Sequence, residues 1–195
     1  MDIIAEGNAI KTSKEVIINS GNIKVNGKNY NGIEAAIIKM NGGIVTATGG
    51  YSGIHARWDP MEYDESYFVI TGGNLYTTGN NGDPINGQIK QKDNCIVVKE
   101  KEGKTSLEVY GEATLQKDTT LNTDVIIPQG ATLIIPEDVI LKIEDGAELN
   151  ILGKIILKGN LFVGDRQYHN IFVKEQEGGS VTVLSNIRPE GWTVF

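Results

Sequence analysis

Across residues 20–77 apolar side chains alternate with polar ones in short bursts, and each burst opens on a glycine pair or its equivalent. The segments "SGNIKV" (20–25), "GGIVTA" (42–47) and "GGNLYT" (72–77) superimpose, and "GGSVTV" (178–183) repeats the pattern near the end of the chain. Ile23, Val45, Leu75 and Val181 share one position. Val25, Ala47, Thr77 and Val183 lie two residues later, on the same face of an extended strand. Lys24, Thr46, Tyr76 and Thr182 fall between them and are expected to point outward. Gly21 and Gly43 are 22 residues apart, and Gly43 and Gly73 are 30 apart, the same period plus an insertion of eight. A second element, "NGIEA" (31–35), returns 21 residues later as "SGIHA" (52–56), with "NGDPI" (81–85) a degenerate third copy.

The middle of the chain keeps the period in another style. Apolar clusters end at Leu121, Ile127, Leu133, Leu141, Leu149, Leu157 and Val163, in steps of 6, 6, 8, 8, 8 and 6 residues, with turns such as "PQG", "PED" and "EDG" between them. Three consecutive steps again add up to about 22 residues. Three short strands per period describe a right-handed parallel β-helix, a single all-β solenoid in which like residues stack on like. The glycines then mark its corners, where the backbone turns sharply or approaches itself closely. An antiparallel β-sandwich also has many short strands and glycine turns, but it does not require a fixed period with positional identity. At about 22 residues a coil and about 4.8 Å a coil, the chain is expected to make about eight or nine coils in a rod roughly 40 Å long. One domain, 1–195, is expected. It contains glycine-pair coils over 1–95 with an insertion at 57–66, an irregular charged loop or hairpin over 96–113, and further coils with a C-terminal cap over 114–195.

Composition narrows the partners. The 195 residues carry a formal net charge of −7 and a pI of about 4.9, which repels phosphate backbones and argues against nucleic acid. No apolar run approaches the length of a membrane span, and the first residues, "MDIIAEGNAIKTSKEV", lack the basic and apolar regions of an export leader. The single cysteine, Cys95, opens the apolar run "CIVV" and reads as a buried core thiol.

The chemistry is sparse. A polysaccharide lyase or hydrolase on this scaffold needs acids gathered on one outward face, and no acids stack at the 22-residue period, so the chain is expected to be non-catalytic. His55 and His169 are far apart in sequence and sit in no zinc motif, and His169 reads as a turn or surface residue. The stretch "HARWDPMEYDESYF" (55–68) is different: it is the insertion, and solenoid insertions commonly carry binding. Trp58, Tyr63 and Tyr67 can stack on sugar rings, while Arg57 and Asp59 can bond hydroxyl groups. The carboxylates of Asp59, Glu62, Asp64 and Glu65 form an alternative set of oxygen ligands for Ca²⁺, although their spacing is not that of an EF-hand loop. Equally, Trp58 and Tyr67 can fold the insertion back over the rod. Tyr30 and Tyr51 occupy equivalent corners and are expected to stack as a ladder or to extend a sugar platform.

The stretch "GGIVTATGGYSGIHA" followed by "VITGGNLYTTGNNG" resembles the repeat of bacterial β-helix proteins described as carbohydrate-binding domain-containing, of the clostridial polygalacturonate-binding type. The resemblance covers about residues 15–85, and residues 115–163 are similar instead to the "TIPEGATLTI" coils of Gram-positive surface proteins. It implies a secreted or cell-surface protein that binds a polysaccharide, pectic or uronate ones included, with Ca²⁺ as a possible cofactor and with further domains of a larger surface protein as partners. The family's Gly-Ile-Asp turn, a candidate Ca²⁺ site by that resemblance, is Gly32-Ile33-Glu34 and Gly53-Ile54-His55 here, and a histidine is not a hard-cation ligand. The alternatives are a structural or adhesive rod, as in a surface protein or phage fibre, and a polysaccharide lyase or hydrolase.

Overall fold

A computed structural model of the chain describes residues 1–57, 65–169, 172–174 and 182–183. The described residues are all-β, stacked as a parallel β-solenoid of about seven turns. No helix among them is long and apolar enough to cross a membrane.

Four coils make the first block. They are β1 (Asp2–Ala5), β2 (Ile10–Lys11) and β3 (Glu15–Ile18); β4 (Asn22–Gly27), β5 (Ile33–Ala35) and β6 (Ile37–Met40); β7 (Ile44–Gly49), β8 (Ile54–Ala56) and β9 (Tyr67–Ile70); β10 (Gly73–Gly79), β11 (Ile85–Asn86) and β12 (Ile89–Lys92). The first strands of each coil pair in parallel as a long sheet, the second strands as a narrow sheet and the third strands as a third sheet. The register is that of the repeat: Val25 pairs with Ala47 and Ala47 with Thr77, while Ile33 pairs with Ile54 and Ile54 with Ile85. The insertion lies between β8 and β9, at one corner, so Ile38 still pairs with Phe68 across it. Alternation puts Val25, Val45, Leu75, Ile33, Ile54, Ile38, Phe68 and Ile70 into one core. Full burial of such a side chain contributes about 1.5–3 kcal/mol, which is why the register is held.

The corners explain the glycines. Gly27, Gly49 and Gly79 stack in register at the end of the long sheet. A Cβ on Gly49 would lie 1.9 Å from the Ser52 carbonyl oxygen and 2.8 Å from that of Tyr30, so no larger residue fits. At the other end of the same strands, Gly43 and Gly73 both have φ +84°, the left-handed region that side chains disfavour.

Residues 95–110 form a hairpin rather than a coil. β13 (Cys95–Lys101) adds in parallel to β10, and β14 (Lys104–Tyr110) returns antiparallel beside it. Glu102 and Gly103, with φ of 53° and 72°, make the tight turn, whose two positive φ angles suit the strand twist. β13 is buried on both faces: Cys95 and Val97 enter the first core, whereas Ile96 and Val98 enter a second core with Leu107 and Val109 of β14. Burial pushes the Cys95 thiol up to about 11, so it stays protonated and inert. Beside the hairpin Glu108 accepts hydrogen bonds from Lys92 (2.9 Å), Tyr110 Oη (2.7 Å) and Lys99. Burial opposes its ionisation, but these donors outweigh burial and hold its carboxyl at about 2.

The second block follows with β15 (Glu112–Thr114), β16 (Thr119–Leu121), β17 (Val125–Ile127), β18 (Thr132–Ile135), β19 (Ile140–Ile143), β20 (Leu149–Ile151), β21 (Lys154–Leu157) and β22 (Asn160–Val163). Leu133 pairs with Ile155, Leu121 with Ile143 and Ile127 with Ile151, so the middle pattern is parallel coils as well. The stacking then ends. β23 (Arg166–His169) turns back antiparallel on β22, β24 (Phe172–Lys174) lies antiparallel on β21, and β25 (Thr182–Val183) lies antiparallel on β24. The expected coil at "GGSVTV" is therefore not formed over 182–183, and the hairpin and these return strands account for the shortfall from eight or nine coils to about seven turns.

One sequence expectation for the long sheet is corrected. Tyr76 alternates as an outward residue, yet it is only 8% exposed, because the second core packs on that outer face and includes it. The second block packs on the outer side of the long sheet, with the hairpin as a shared wall.

Candidate functional site

The narrow sheet is at most three residues wide and lies between two segments of the coil. On one side is the corner carrying Tyr30 and Tyr51; on the other is the insertion that begins at Arg57. Ile33 and Ile54 point into the core, so the residues after them, Glu34 and His55, occupy the outer face. Lys11 precedes them and Asn86 follows, giving an outward ladder Lys11–Glu34–His55–Asn86 in register.

Glu34 is the centre of this ladder and only 5% of it is exposed. Its Oε1 faces Lys11 Nζ at 3.1 Å and the Arg57 guanidinium at 3.4 Å, and its Oε2 accepts from Asn31 Nδ2 at 2.7 Å. Burial raises the Glu34 carboxyl, but Lys11, Asn31 and Arg57 overcome this and hold it below its ordinary value. His55 Nδ1 lies 3.1 Å from the same Asn31 amide and 3.7 Å from Glu34 Oε2. Burial lowers the imidazole, against the pull of Glu34 and with the help of Arg57, so His55 is neutral at neutral pH. The Asn31 amide has two hydrogens: one serves Glu34, and the other serves Nδ1 as acceptor, which places the His55 proton on Nε2. Asn31 Oδ1 in turn accepts the Ser52 N–H at 3.2 Å, and Asn8 Oδ1 accepts the Asn31 N–H at 2.8 Å. Three consecutive coils are thus tied by one polar network, and its single carboxylate is already matched by two cations.

Tyr30 and Tyr51 do stack as neighbours. Both are 54% exposed, their ring centroids are 6.2 Å apart and their planes are tilted by 37°. The Tyr51 N–H donates to the Tyr30 carbonyl at 3.0 Å, so the coil backbone holds the two residues side by side.

Of the insertion residues, Trp58, Asp59, Glu62, Tyr63 and Asp64 lie outside the described residues. Arg57 is tied to Glu34, and its N–H donates to the Ala35 carbonyl at 2.9 Å. Tyr67 opens β9 with the Lys90 ammonium 4.1 Å from its ring centroid, and Glu65 pairs with the same Lys90. Among the described residues no group of three or more His, Cys, Asp or Glu side chains is placed to hold a metal ion. Lys11 and Asn31 were not singled out by the sequence. Lys11 belongs to a first coil whose "AIK" (9–11) lacks the glycine of the later copies, and Asn31 becomes informative only once the coils are stacked. No family model matches the chain, and no curated protein or solved structure matches it either.

Proposed function

We propose that the chain is a non-catalytic carbohydrate-binding β-helix, with a polysaccharide lying along the narrow sheet between the tyrosine corner and the insertion. The observation that carries this reading is the Tyr30–Tyr51 pair. Two exposed rings one coil apart, held by backbone bonds, offer flat apolar faces at the spacing of ring-to-ring contacts. A sugar ring has an apolar face of C–H groups and a rim of hydroxyls. Beside the tyrosines, His55 Nε2 offers a donor and Asn86 an amide for such a rim. The engagement of Glu34 by Lys11, Arg57 and Asn31 supports a binding role over acid–base chemistry, since these partners keep that carboxylate ionised, with no proton to give. The family resemblance, a bacterial secreted or cell-surface location, and Ca²⁺ held by Asp59, Glu62, Asp64 and Glu65 belong to the same proposal.

The test is binding to a panel of soluble and insoluble polysaccharides, pectic ones included, with Ca²⁺ and with a chelator. A glycan whose binding is lost in the Tyr30→Ala/Tyr51→Ala double variant, and weakened in Trp58→Ala, is the expected result. Dependence on Ca²⁺ would assign the insertion carboxylates. Binding to no glycan in the panel would replace this reading with that of a structural or adhesive rod.

A further inference from the structure

A second concave surface lies on a different face of the molecule. The segment joining β15 to β16 crosses the outer face of the long sheet at β10 and is clamped there. Asn74 Nδ2 donates to the Thr114 carbonyl at 2.8 Å, the Gln116 N–H donates to Asn74 Oδ1 at 3.0 Å, and Tyr76 Oη lies 3.2 Å from Thr119 Oγ1. Beyond this segment the long sheet continues through β7, β4 and β1. The step between the two blocks is a groove of about 760 Å³, walled by Gln116 and Lys117 and floored by Asp2, Asn22, Lys24, Ile44 and Thr46, with Met1, whose ammonium donates to the Asn22 carbonyl at 2.7 Å, at its edge. Because Asn74 and Tyr76 are buried and bonded on both sides of the step, the groove is built into the fold before any ligand arrives.

Its charges are arranged unusually for a chain of net charge −7. Lys117 Nζ sits 3.6 Å from the Tyr76 ring centroid and 3.3 Å from Thr46 Oγ1. An ammonium has three donors, and these contacts leave at least one aimed elsewhere. Lys24 projects from the groove floor one strand away from Thr46, with which it is in register. Among the described residues neither lysine makes an ion pair with a carboxylate, although Asp2 is in register with Lys24. Burial lowers the Lys117 ammonium, and the charge of Lys24 lowers it further. Two like charges therefore face a preformed polar groove whose one carboxylate, Asp2, is paired with neither of them, and an anionic group between the lysines would relieve both the desolvation and the repulsion.

We infer that this groove is a binding site for a small polar anion, whose carboxylate or phosphoryl oxygens lie between Lys24 and Lys117 and accept from the Thr46 hydroxyl and the Gln116 or Asn22 amide. The site is separate from the narrow sheet and does not depend on the reading above.

The experiment is an NMR titration of the labelled full chain with inorganic phosphate, with malonate, and with glucose and sodium chloride as controls. It follows the amides of residues 22–24, 44–46 and 116–117 and the side-chain titration of Lys117. Saturable shifts confined to these residues are expected with phosphate or malonate, together with a rise in the Lys117 titration midpoint; the tighter of the two names the anion. Lys24→Met and Lys117→Met should each weaken binding about tenfold, the loss of one charge-assisted hydrogen bond. Lys24→Met is an exposed strand substitution that keeps the fold, so it decides the matter even where Lys117→Met destabilises the step. Shifts that do not saturate, that sodium chloride reproduces at equal ionic strength, or that survive in Lys24→Met would overturn the inference.

Discussion

The two blocks reach the same coil by different means. In the first, residues 1–92, corners are closed by glycines that no side chain could replace, and the turns between strands are short and tied by backbone bonds. In the second, residues 112–163, strands are mostly three or four residues long, and Leu121, Ile127, Leu133, Leu141 and Ile143 fill the core. Its turns include "PQG", "PED" and "EDG", where Gly130 and Gly146 have positive φ but open space around them, while at the later corners a Cβ on Gly153 or Gly159 would lie 2.2 Å or 2.0 Å from a backbone oxygen. Crowded corner glycines are thus common to both blocks. The first block also carries the buried polar network, so its coils are joined by directional bonds in addition to apolar stacking.

The largest effect is expected from the corners. Gly49→Ala puts a methyl group within 1.9 Å of a backbone oxygen, and the first block should not fold, as read from lost amide protection across 22–92. Gly130→Ala meets nothing within 4 Å and carries only its positive φ, a cost of about 1–2 kcal/mol in a denaturant titration. Equal effects from the two would erase the contrast between crowded and open corners. Next comes Leu133→Ala, which leaves a cavity in the second core and should cost about 2–5 kcal/mol. Hydrogen exchange should then quicken throughout 112–163 and in the hairpin more than in β4–β9.

A smaller effect separates the blocks by pH. Burial keeps His55 below its ordinary 6.5, so the unfolded chain takes up that proton before the folded one does. This contribution is complete above 6.5 and is lost as pH falls through the folded value. Glu34, held below its ordinary 4.5, adds a contribution complete above 4.5 and lost as pH falls through its own folded value. Melting temperature should therefore drop on acidification below about 6.5, and His55→Gln should flatten the upper part of that slope. Glu34→Gln leaves Lys11 and Arg57 without their counter-charge and should cost about 1–3 kcal/mol at pH 7. The smallest change in stability belongs to Tyr30→Ala and Tyr51→Ala, about 0.5 kcal/mol or less for exposed positions, which makes them clean probes of binding.

How far the sequence could be read follows from how local each cause is. Gly27, Gly49 and Gly79, or Ile33 and Ile54, are legible because stacking forces identity at a fixed period, and a period is visible in one dimension. Cys95 is legible because its apolar neighbours are adjacent to it. The first coil is not, because Ala9 stands where later copies have glycine. Tyr76 alternates as it should, but its burial depends on where the second block lies, which no alternation encodes. The network of Asn31, Glu34, His55 and Lys11 spans three coils, and apart from the Asn31–Glu34 bond it joins side chains 21 or more residues apart through atoms that only the stacked coils bring together; of these, Glu34 and His55 stood out as departures from a turn motif.

The shared strand also limits how such a chain can change length. The eight extra residues between β8 and β9 leave β9 paired in register with β6, so this corner accepts an insertion. β13 cannot accept even one. Cys95 and Val97 serve one core while Ile96 and Val98 serve the other, and a single added residue inside the strand would exchange the two sets. Lineages descended from this molecule should vary at their bends and keep that strand at constant length.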